Sequence, residues 1–333
     1  MIEKTKHSRA DKTMRLLVTG GAGFIGSHIA EAALGLNWEV LCVDDLSTGL
    51  RENVPRGAAL VEADIRDSVR LANLFEEFRP DAVNHQAAQA SVPRSRRDPV
   101  TDASVNVIGG LQVLQAARDF EVERFVAAST GGAIYGDIPD GDFAAEEATP
   151  RPISPYGVAK VAMESYMGIY REEYGLNTHA LRYANVYGER QSTNGEAGVV
   201  AIFSHRVASR AKIQIHARAS LGDRGCIRDY IHVSDVVRAN MIALGGGLPL
   251  AAINVCSAVE TTTATLLERI ERIVGWRTGV ERLAPRAGDI QRSAMSNTLC
   301  QQYLGQTMPL SEGLERTVTW FQRQLAAKAG SKS

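Results

Sequence analysis

The stretch RLLVTGGAGFIG, from Arg15 to Gly26, decides the fold of this 333-residue chain. The apolar run at 16–18 is typical of a buried parallel strand, and a glycine-rich turn follows it, after which apolar residues resume at helical spacing. Such a turn lets the backbone approach a pyrophosphate, which the free N–H groups and the dipole of the helix favour. The residues predicted to line this site are Gly20, Gly23, Phe24, Ile25 and Gly26.

A second strand supplies the acid that should accompany such a turn. The apolar run WEVLCV, from Trp38 to Val43, predicts this strand, and Asp44 ends it at about the expected distance, where it can accept hydrogen bonds from adenosine ribose hydroxyls. An acid there also repels a 2′-phosphate, and neither Asp45 nor the two residues after it is an arginine. The two motifs together predict NAD rather than NADP.

Strands and helices continue to alternate along the chain. The pattern predicts strands at 59–62, 81–86 and 124–128, with helices at 68–78 and from about 99 to 117. Alternation of this kind indicates right-handed βαβ units in the α/β class, here a Rossmann-type doubly wound parallel sheet with ligands at the carboxyl ends of its strands. Several candidate ligand contacts follow these strand ends: Asp64, Gln86, Ala87 and Ala88.

The candidate chemistry lies on a helix predicted over 154–175, which a serine cap and a proline open and a glycine ends. Tyr156 and Lys160 are four residues apart and share one helix face. A free tyrosine, with a pKa of about 10, is a poor base, but a nearby cation lowers that pKa by about 1 to 3. The hydroxyls of Ser129 and Thr130, at another strand end, are expected to face the nicotinamide.

Bulk properties exclude several classes of protein. A formal net charge of −1 gives no general case for nucleic acid or an anionic membrane as a partner. No apolar run has the length of a membrane span, and the polar stretch 1–13 is expected to be a disordered leader without a signal-peptide core, which predicts a cytoplasmic protein. The four cysteines are far apart and form no CxxC pair, so neither zinc nor disulfides are indicated.

The motifs in order resemble those of the extended short-chain dehydrogenase/reductase family, and within it the NAD-dependent sugar-nucleotide epimerases typified by UDP-glucose 4-epimerase. The resemblance covers nearly the whole chain from residue 14 to about 321. The matching motifs are TGGAGFIG at 19–26, HQAA at 85–88, STGGAIYG at 129–136, YGVAK at 156–160, LRYANVYG at 181–188, RDYIHV at 228–233 and RAGD at 286–289.

The resemblance implies two sets of contacts. The cofactor set adds to the glycine turn the residues Asp44, Asp45, Asp64, Ile65, Gln86, Ala87, Ala88, Asn106, Tyr156, Lys160 and Tyr183. The substrate set is Asn185, Val199, Arg228, Arg286, Asp289 and Ser293. Within it the two arginines would neutralise the diphosphate by bidentate contacts and Asp289 would hold the uridine ribose. A small residue at Ser293 would admit N-acetyl sugars.

Two departures from the family pattern matter. Gly131 occupies the position where many epimerases carry their catalytic serine, so Thr130 is the first candidate for that hydroxyl and Ser129 the second. Sugar-nucleotide 4,6-dehydratases carry an acid just after the hydroxyl, whereas Gly131 and Gly132 offer none. A dehydratase is therefore disfavoured.

The function expected from these observations is a UDP-hexose 4-epimerase that passes through a transient 4-keto sugar. A 4-epimerase of a uronic acid or another nucleotide sugar, a 4-keto reductase and a non-catalytic NAD-sensing protein remain alternatives. We expect an NAD-binding domain at 14–190 to which 231–255 returns, a smaller C-terminal α/β substrate domain from 191–230 and 256–325, and a tail at 326–333. The resemblance also implies a homodimer through a four-helix interface.

Overall fold

The computed structural model describes residues 13–193, 198–286 and 288–330, with no side-chain description for 328–330. The predicted disordered leader lies outside the described residues except for Thr13. The predicted tail begins inside the last helix, which continues to Gly330. No helix in the described ranges combines the length and apolar character needed to cross a membrane.

The described strands alternate with helices for most of the chain. The strands are β1 Arg15–Thr19, β2 Glu39–Asp44, β3 Ala59–Glu62, β4 Ala82–His85, β5 Arg124–Thr130, β6 Asn177–Tyr183, β7 Asn185–Tyr187, β8 Ile213–His216, β9 Ile227–His232, β10 Ala252–Val255, β11 Glu260–Thr262, β12 Val280–Leu283 and β13 Arg292–Ser293. The α-helices are α1 Phe24–Gly35, α2 Ser68–Phe78, α3 Val92–Arg97, α4 Pro99–Ala103, α5 Gly110–Asp119, α6 Gly131–Ile134, α7 Pro155–Tyr174, α8 Val199–Ala208, α9 Val233–Leu244, α10 Thr263–Val274, α11 Thr298–Leu304 and α12 Leu310–Gly330.

A seven-stranded parallel sheet with the order β10-β6-β5-β4-β1-β2-β3 forms the centre of the molecule. Its strands are short runs of apolar residues because helices cover both faces, one face with α1 and α9 and the other with α2, α5 and α7. The chain reverses its direction of winding at β1, and the carboxyl ends of β1 and β4 meet there. The predicted doubly wound parallel sheet is confirmed.

The helix predicted from about Pro99 to Ala117 is wrong in one respect. It begins at Pro99, but the segment Ser104–Gly109 is a π-helix, and α5 continues only after it. Asn106 at the centre of this wide turn is 3% exposed and uses its amide to bind the backbone of Gln89 on both sides. The spacing of apolar residues does not predict the π-helix, because α5 continues with ordinary helical spacing directly after it.

Small sheets follow the large one. A single residue, Ala184, separates β6 of the large sheet from β7, which pairs with β9; β9 in turn lies between β11 and β13. Strands β8 and β12 form a separate parallel pair, and α8, α10 and α12 pack around a third apolar core. After β9 the chain returns to the large sheet through α9, which packs on α1, and β10, which pairs with β6.

The turn between β1 and α1 has no room for a side chain at Gly26, where a methyl group would lie 2.2 Å from the carbonyl oxygen of Gly20. Because that obstacle is backbone, no side-chain rotation relieves it. We expect Gly26→Ala to lower the free energy of unfolding, measured in urea, by about 2 kcal/mol.

Gly35, in the last turn of the same helix, is the matched control. A methyl group there meets nothing within 4 Å. Gly35→Ala should leave the free energy of unfolding unchanged or raise it by about 0.5 kcal/mol. Equal losses in the two variants would contradict the assignment of the clash to the glycine turn.

Candidate active site

The glycine turn presents the start of α1 to the carboxyl edge of the sheet. Gly20 has φ +70°, and a methyl group on it would lie 2.7 Å from the backbone nitrogen of Ala87, at the end of β4. Gly23 is the N-cap of α1 and has no side chain to bind the first N–H groups of the helix. These donors and the close approach of two backbones suit a pyrophosphate.

Asp44 lies beside this turn at the end of β2. Its carboxylate accepts hydrogen bonds from the backbone nitrogens of Ala22 and Leu46, each 2.9 Å long. Burial raises the pKa of the acid, and the two N–H donors oppose that effect. The residues present therefore fit an adenosine ribose next to a pyrophosphate, with one acid anchored to the glycine turn itself. Asp45 instead caps its own loop by binding the backbone nitrogen of Ser47.

The end of β4 carries a buried network of amides and a phenol. Gln86 donates to the side-chain oxygen of Asn84 and to the Tyr183 hydroxyl, at 2.9 and 3.2 Å. Asn240 on α9 donates to the same hydroxyl at 2.8 Å. The network fixes Tyr183, which is 5% exposed at the end of β6. Gln86 and Tyr183 therefore lie together at the carboxyl edge, as the motifs require, whereas the backbone of Ala87 and Ala88 continues the edge beyond them.

Two of the expected cofactor contacts are used by the protein itself. Asp64 is exposed and forms an ion pair with Arg66, while its neighbour Ile65 is buried against Gly109 of the π-helix. The amide of Asn106 makes one bond to Asp102, at 3.0 Å, in addition to its two bonds to the backbone of Gln89. Asn106 thus holds a loop of the site, and its side chain has no donor left for a ligand.

Helix α7 is tied to β5 at three successive turns. The phenol of Tyr156 lies close enough to the side chain of Thr130 for the two to interact. One turn later Lys160, 6% exposed, donates its Nζ to the carbonyl oxygen of Ala128 at 2.9 Å. One further turn on, Glu164 accepts a hydrogen bond from the Ser129 hydroxyl. Three side chains on one face of α7, four residues apart, therefore lie against residues 128–130 of β5.

The pKa of Tyr156 differs from the prediction. Burial raises it to about 12, the negative charge of Asp102 adds to that rise, and the bond to Thr130 only partly offsets it. Lys160 lies 5.9 Å from the centre of the Tyr156 ring, and burial lowers the pKa of its own ammonium to about 8. The expected lowering of the Tyr156 pKa by a nearby cation is not found, because desolvation of the phenolate is the largest effect.

The two candidate hydroxyls have different surroundings. Ser129 is 5% exposed and its hydroxyl is taken by Glu164, which also forms a bidentate pair with Arg182 of β6, with an Nη2–Oε2 distance of 2.7 Å. Arg182 extends this network to the Tyr135 hydroxyl at 2.8 Å. Thr130 instead faces Tyr156. Its hydroxyl is the one of the two that lies at the reacting edge.

A small recess beside Gly132 brings together groups from distant parts of the chain. A methyl group added to Gly132 would lie 3.7 Å from the hydroxyl of Ser293, 3.8 Å from that of Thr130 and 3.9 Å from the amide nitrogen of Asn185. These are ordinary contact distances, so the three side chains surround a space the size of a small group. Ser293 is buried in β13 and Asn185 is held by the backbone oxygen of Asp229 at 2.9 Å.

Gly131 has no such space. A methyl group there would lie 1.7 Å from the sulfur of Met295, which is 1% exposed and follows β13. The thioether of Met295 therefore occupies the space that a side chain at residue 131 would need. Of the two candidate hydroxyls, that of Thr130 is the one that interacts with Tyr156.

The other expected substrate contacts lie on the C-terminal strands and loops. Arg228 in β9 donates to the backbone oxygens of Ile227 and Ile290, at 2.9 and 2.5 Å. Arg286 donates toward His216 at 2.9 Å and lies 4.0 Å from Asp289. Val199 is the first residue of α8 and packs in the third core. These contacts place both arginines near the segment that leads to Ser293.

The sequence motifs do not identify several residues that the structure brings into the site. Glu164 lies four residues after Lys160, and Asp102 lies four residues before Asn106, so both share a helix face with a predicted site residue. Arg182 lies inside the motif LRYANVYG. Met295 has no sequence signal, because its contact with Gly131 joins residues far apart in the chain.

Comparison with known proteins agrees with this geometry. A family model described as NAD dependent epimerase/dehydratase matches residues 16–256. A UDP-glucose 4-epimerase of Mycolicibacterium smegmatis is 41% identical over 318 residues, which cover 93% of this chain and 99% of that protein. The crystal structure of Thermus thermophilus UDP-glucose 4-epimerase in complex with NAD has a TM-score of 0.88 at 46% identity, over 93% of this chain and 99% of the other. Thermotoga maritima UDP-glucose 4-epimerase with UDP-glucose has a TM-score of 0.87 at 40% identity, over 94% and 100%.

The contact between Gly131 and Met295 predicts non-additive substitutions. We expect Gly131→Ser alone to lower the free energy of unfolding by about 2 kcal/mol because the sulfur blocks the new side chain. Met295→Ala alone should cost about 3 kcal/mol because it leaves a cavity. The double variant should lose less than the sum in urea unfolding, since the serine enters the space that the thioether left. Strictly additive losses would refute the pairing.

Proposed function

Because the chain belongs to the NAD dependent epimerase/dehydratase family, we propose that it is an NAD-dependent 4-epimerase of UDP-hexoses, interconverting UDP-glucose and UDP-galactose. The family resemblance predicted from the motifs is confirmed. One observation above all supports the reaction: the Tyr156 phenol interacts with the Thr130 side chain and lies near the Lys160 ammonium. Ser293 and Asn185 bound a recess next to that pair.

In this proposal Tyr156 is the base that removes the proton from the C4 hydroxyl and the acid that returns it. Thr130 bridges the phenol and the sugar oxygen, and Lys160 supplies positive charge that favours the phenolate. NAD supplies the hydride acceptor at C4 and, when oxidised, further positive charge beside the tyrosine. Burial keeps Tyr156 protonated in the protein alone. The base is thus generated only when the site is filled.

Epimerisation requires the 4-keto sugar to present both faces in turn. In this proposal the small residues Gly132 and Ser293 keep bulky side chains away from Thr130, where the sugar would turn about its diphosphate link. Elimination across C5 and C6, the dehydratase reaction, needs an acid next to the hydroxyl, and Gly131 and Gly132 supply none. The chemistry of the residues therefore favours epimerisation within a family that includes both reactions.

The sugar and nucleotide contacts are part of the same proposal. We assign the diphosphate to Arg228 and Arg286, the uridine ribose to Asp289, and contacts with the diphosphate or sugar to Asn185 and Val199. Because Ser293 is small and borders the recess, we propose that UDP-N-acetylglucosamine and UDP-N-acetylgalactosamine are also substrates. The adenine is assigned to Asp64 and Ile65, and the nicotinamide side to Tyr183 and Lys160.

The domain division and the assembly are proposed on similar grounds. Residues 14–190 and 231–255 would bind NAD, and 191–230 with 256–325 would bind the sugar nucleotide. A groove of about 610 Å³ between α4 and α7 is lined mainly by apolar side chains. Val100 on α4, Ile108 on the π-helix and Val158 on α7 are more than half exposed. This surface suits a homodimer in which two helices from each subunit pack together. The cytoplasmic location stays a prediction.

The proposed function is tested with purified protein, UDP-glucose and UDP-N-acetylglucosamine, without added cofactor, by proton NMR of the anomeric signals. We expect galacto isomers to form from both sugars with no net change in NAD. Tyr156→Phe should retain NAD and lose at least about 100-fold in kcat. Stoichiometric consumption of reduced cofactor would instead indicate a 4-keto reductase, and no conversion would favour a uronic acid or another nucleotide sugar.

Because Ser129 and Thr130 have different partners, we expect their matched variants to differ in kcat and in the free energy of unfolding. Thr130→Val keeps the shape of the side chain but removes the hydroxyl that faces Tyr156, so kcat should fall about 100-fold with little change in stability. Ser129→Ala removes a partner of Glu164 and should lower the free energy of unfolding by about 1 to 2 kcal/mol while costing far less kcat. A greater loss of kcat in Ser129→Ala would reverse the assignment of the catalytic hydroxyl.

A further inference from the structure

Asp102 on α4 is a buried acid with an unusual arrangement of partners. It is 1% exposed, and its Oδ1 accepts hydrogen bonds from the side-chain amides of Gln89 and Asn106, at 2.7 and 3.0 Å. Its Oδ2 is buried and has no hydrogen-bond partner among the described residues. Burial raises the pKa of this acid, and the two amide donors and the positive charge of Lys160 oppose that rise. The amides stabilise the carboxylate without neutralising it, which leaves Lys160 as the cation that acts on it.

Two carboxylates, Asp102 and Glu164, interact electrostatically with Lys160, and among the described residues Glu164 alone is paired with an arginine. Glu164 receives the fork of Arg182 through both oxygens and the hydroxyl of Ser129. Asp102 forms no ion pair with an arginine or histidine in the described part of the chain and interacts electrostatically with Lys160 and Tyr156. The charge of Glu164 is therefore balanced, whereas the charge of Asp102 is available to the lysine.

Lys160 needs such a counter-charge because it is buried. Its ammonium has one neutral acceptor, the carbonyl oxygen of Ala128. Burial disfavours the ammonium and lowers its pKa to about 8, although the two carboxylates already act in the opposite direction. His85, which also lies near Lys160, is buried and its pKa is lowered to about 3, so it is neutral at physiological pH. The remaining ionisable neighbour is Tyr156, which is protonated.

We propose that Asp102 is a positioning residue of the active site, whose bare carboxylate supplies the negative charge that keeps the buried Lys160 ammonium protonated. The proposal rests on the proposed function for its consequence in catalysis, since the charged lysine is what favours the Tyr156 phenolate. The π-helix takes part in this arrangement, because its residue Asn106 binds Asp102 and the backbone of Gln89 together and so holds the acid in place.

The substitution Asp102→Asn removes the negative charge and keeps the shape of the side chain. The Oδ1 of asparagine still accepts the amides of Gln89 and Asn106, and its nitrogen replaces the oxygen that has no partner. Loss of the negative charge lowers the pKa of the ammonium, so Lys160 should lose its proton at a lower pH in the variant. The expected displacement of that titration is about one pH unit or more, toward acid.

The measurement is carbon NMR of the protein grown with lysine labelled at Cε and titrated without substrate. The chain has seven lysines, so the spectrum is simple, and Lys160→Arg identifies the signal by its loss. Asp98→Asn is the matched control: Asp98 caps the same helix from an exposed position, and asparagine is an equally good cap. We expect the Lys160 titration to move in Asp102→Asn and to stay in place in Asp98→Asn.

An unchanged Lys160 titration in Asp102→Asn overturns the proposal, as does an equal displacement in both variants. This readout does not depend on turnover, so it stands apart from failure of the epimerase assay. In the active enzyme, kcat of Asp102→Asn should fall mainly on the alkaline side, where the variant's lysine is neutral, and approach the wild-type value toward acid pH. A purely structural role would lower kcat equally across the pH range.

Discussion

The hydrogen bond from the Lys160 ammonium to the carbonyl oxygen of Ala128 is the contact on which the rest of the site depends. It joins the longest helix that covers the large sheet to strand β5, two residues before that strand ends. Once this distance is set, the helix repeat brings Tyr156 to Thr130 and Glu164 to Ser129. The position of the reacting hydroxyls therefore follows from one lysine that lies inside the protein.

Burial of the Lys160 ammonium costs free energy of solvation, and two neighbouring carboxylates offset part of that cost. A buried ammonium favours losing its proton, and a buried phenol favours keeping its own. The molecule surrounds the pair with carboxylates in two different states, one neutralised by Arg182 and one held by neutral amides. Because Glu164 is paired with Arg182 and also binds Ser129 of β5, it holds the strand that carries Thr130. In the described part of the chain the hydrogen bonds of Asp102 reach no residue of that strand, so its charge acts on Lys160 separately.

Local sequence predicted much of the site because much of it is local. The glycine turn, Asp44, the cap of α7 and the Tyr156–Lys160 spacing each occupy one stretch of chain and follow from backbone geometry. The π-helix at Asn106, the filling of Gly131 by Met295 and the high pKa of Tyr156 depend on contacts between distant segments. Periodicity and spacing carry no information about such contacts, since burial and packing arise only when the whole chain has folded.

The path of the chain through β9, α9 and β10 has a consequence for how the protein can be divided. Strand β9 belongs to a small sheet, yet the next strand, β10, is the outermost member of the large one, and α9 covers its face beside α1. A gene cut at the single residue Ala184 would yield an amino-terminal fragment that lacks α9 on one face of the sheet and the partner strand of β6 at its edge. The large sheet is therefore completed only after the ribosome has made β7 and β9 of the small one.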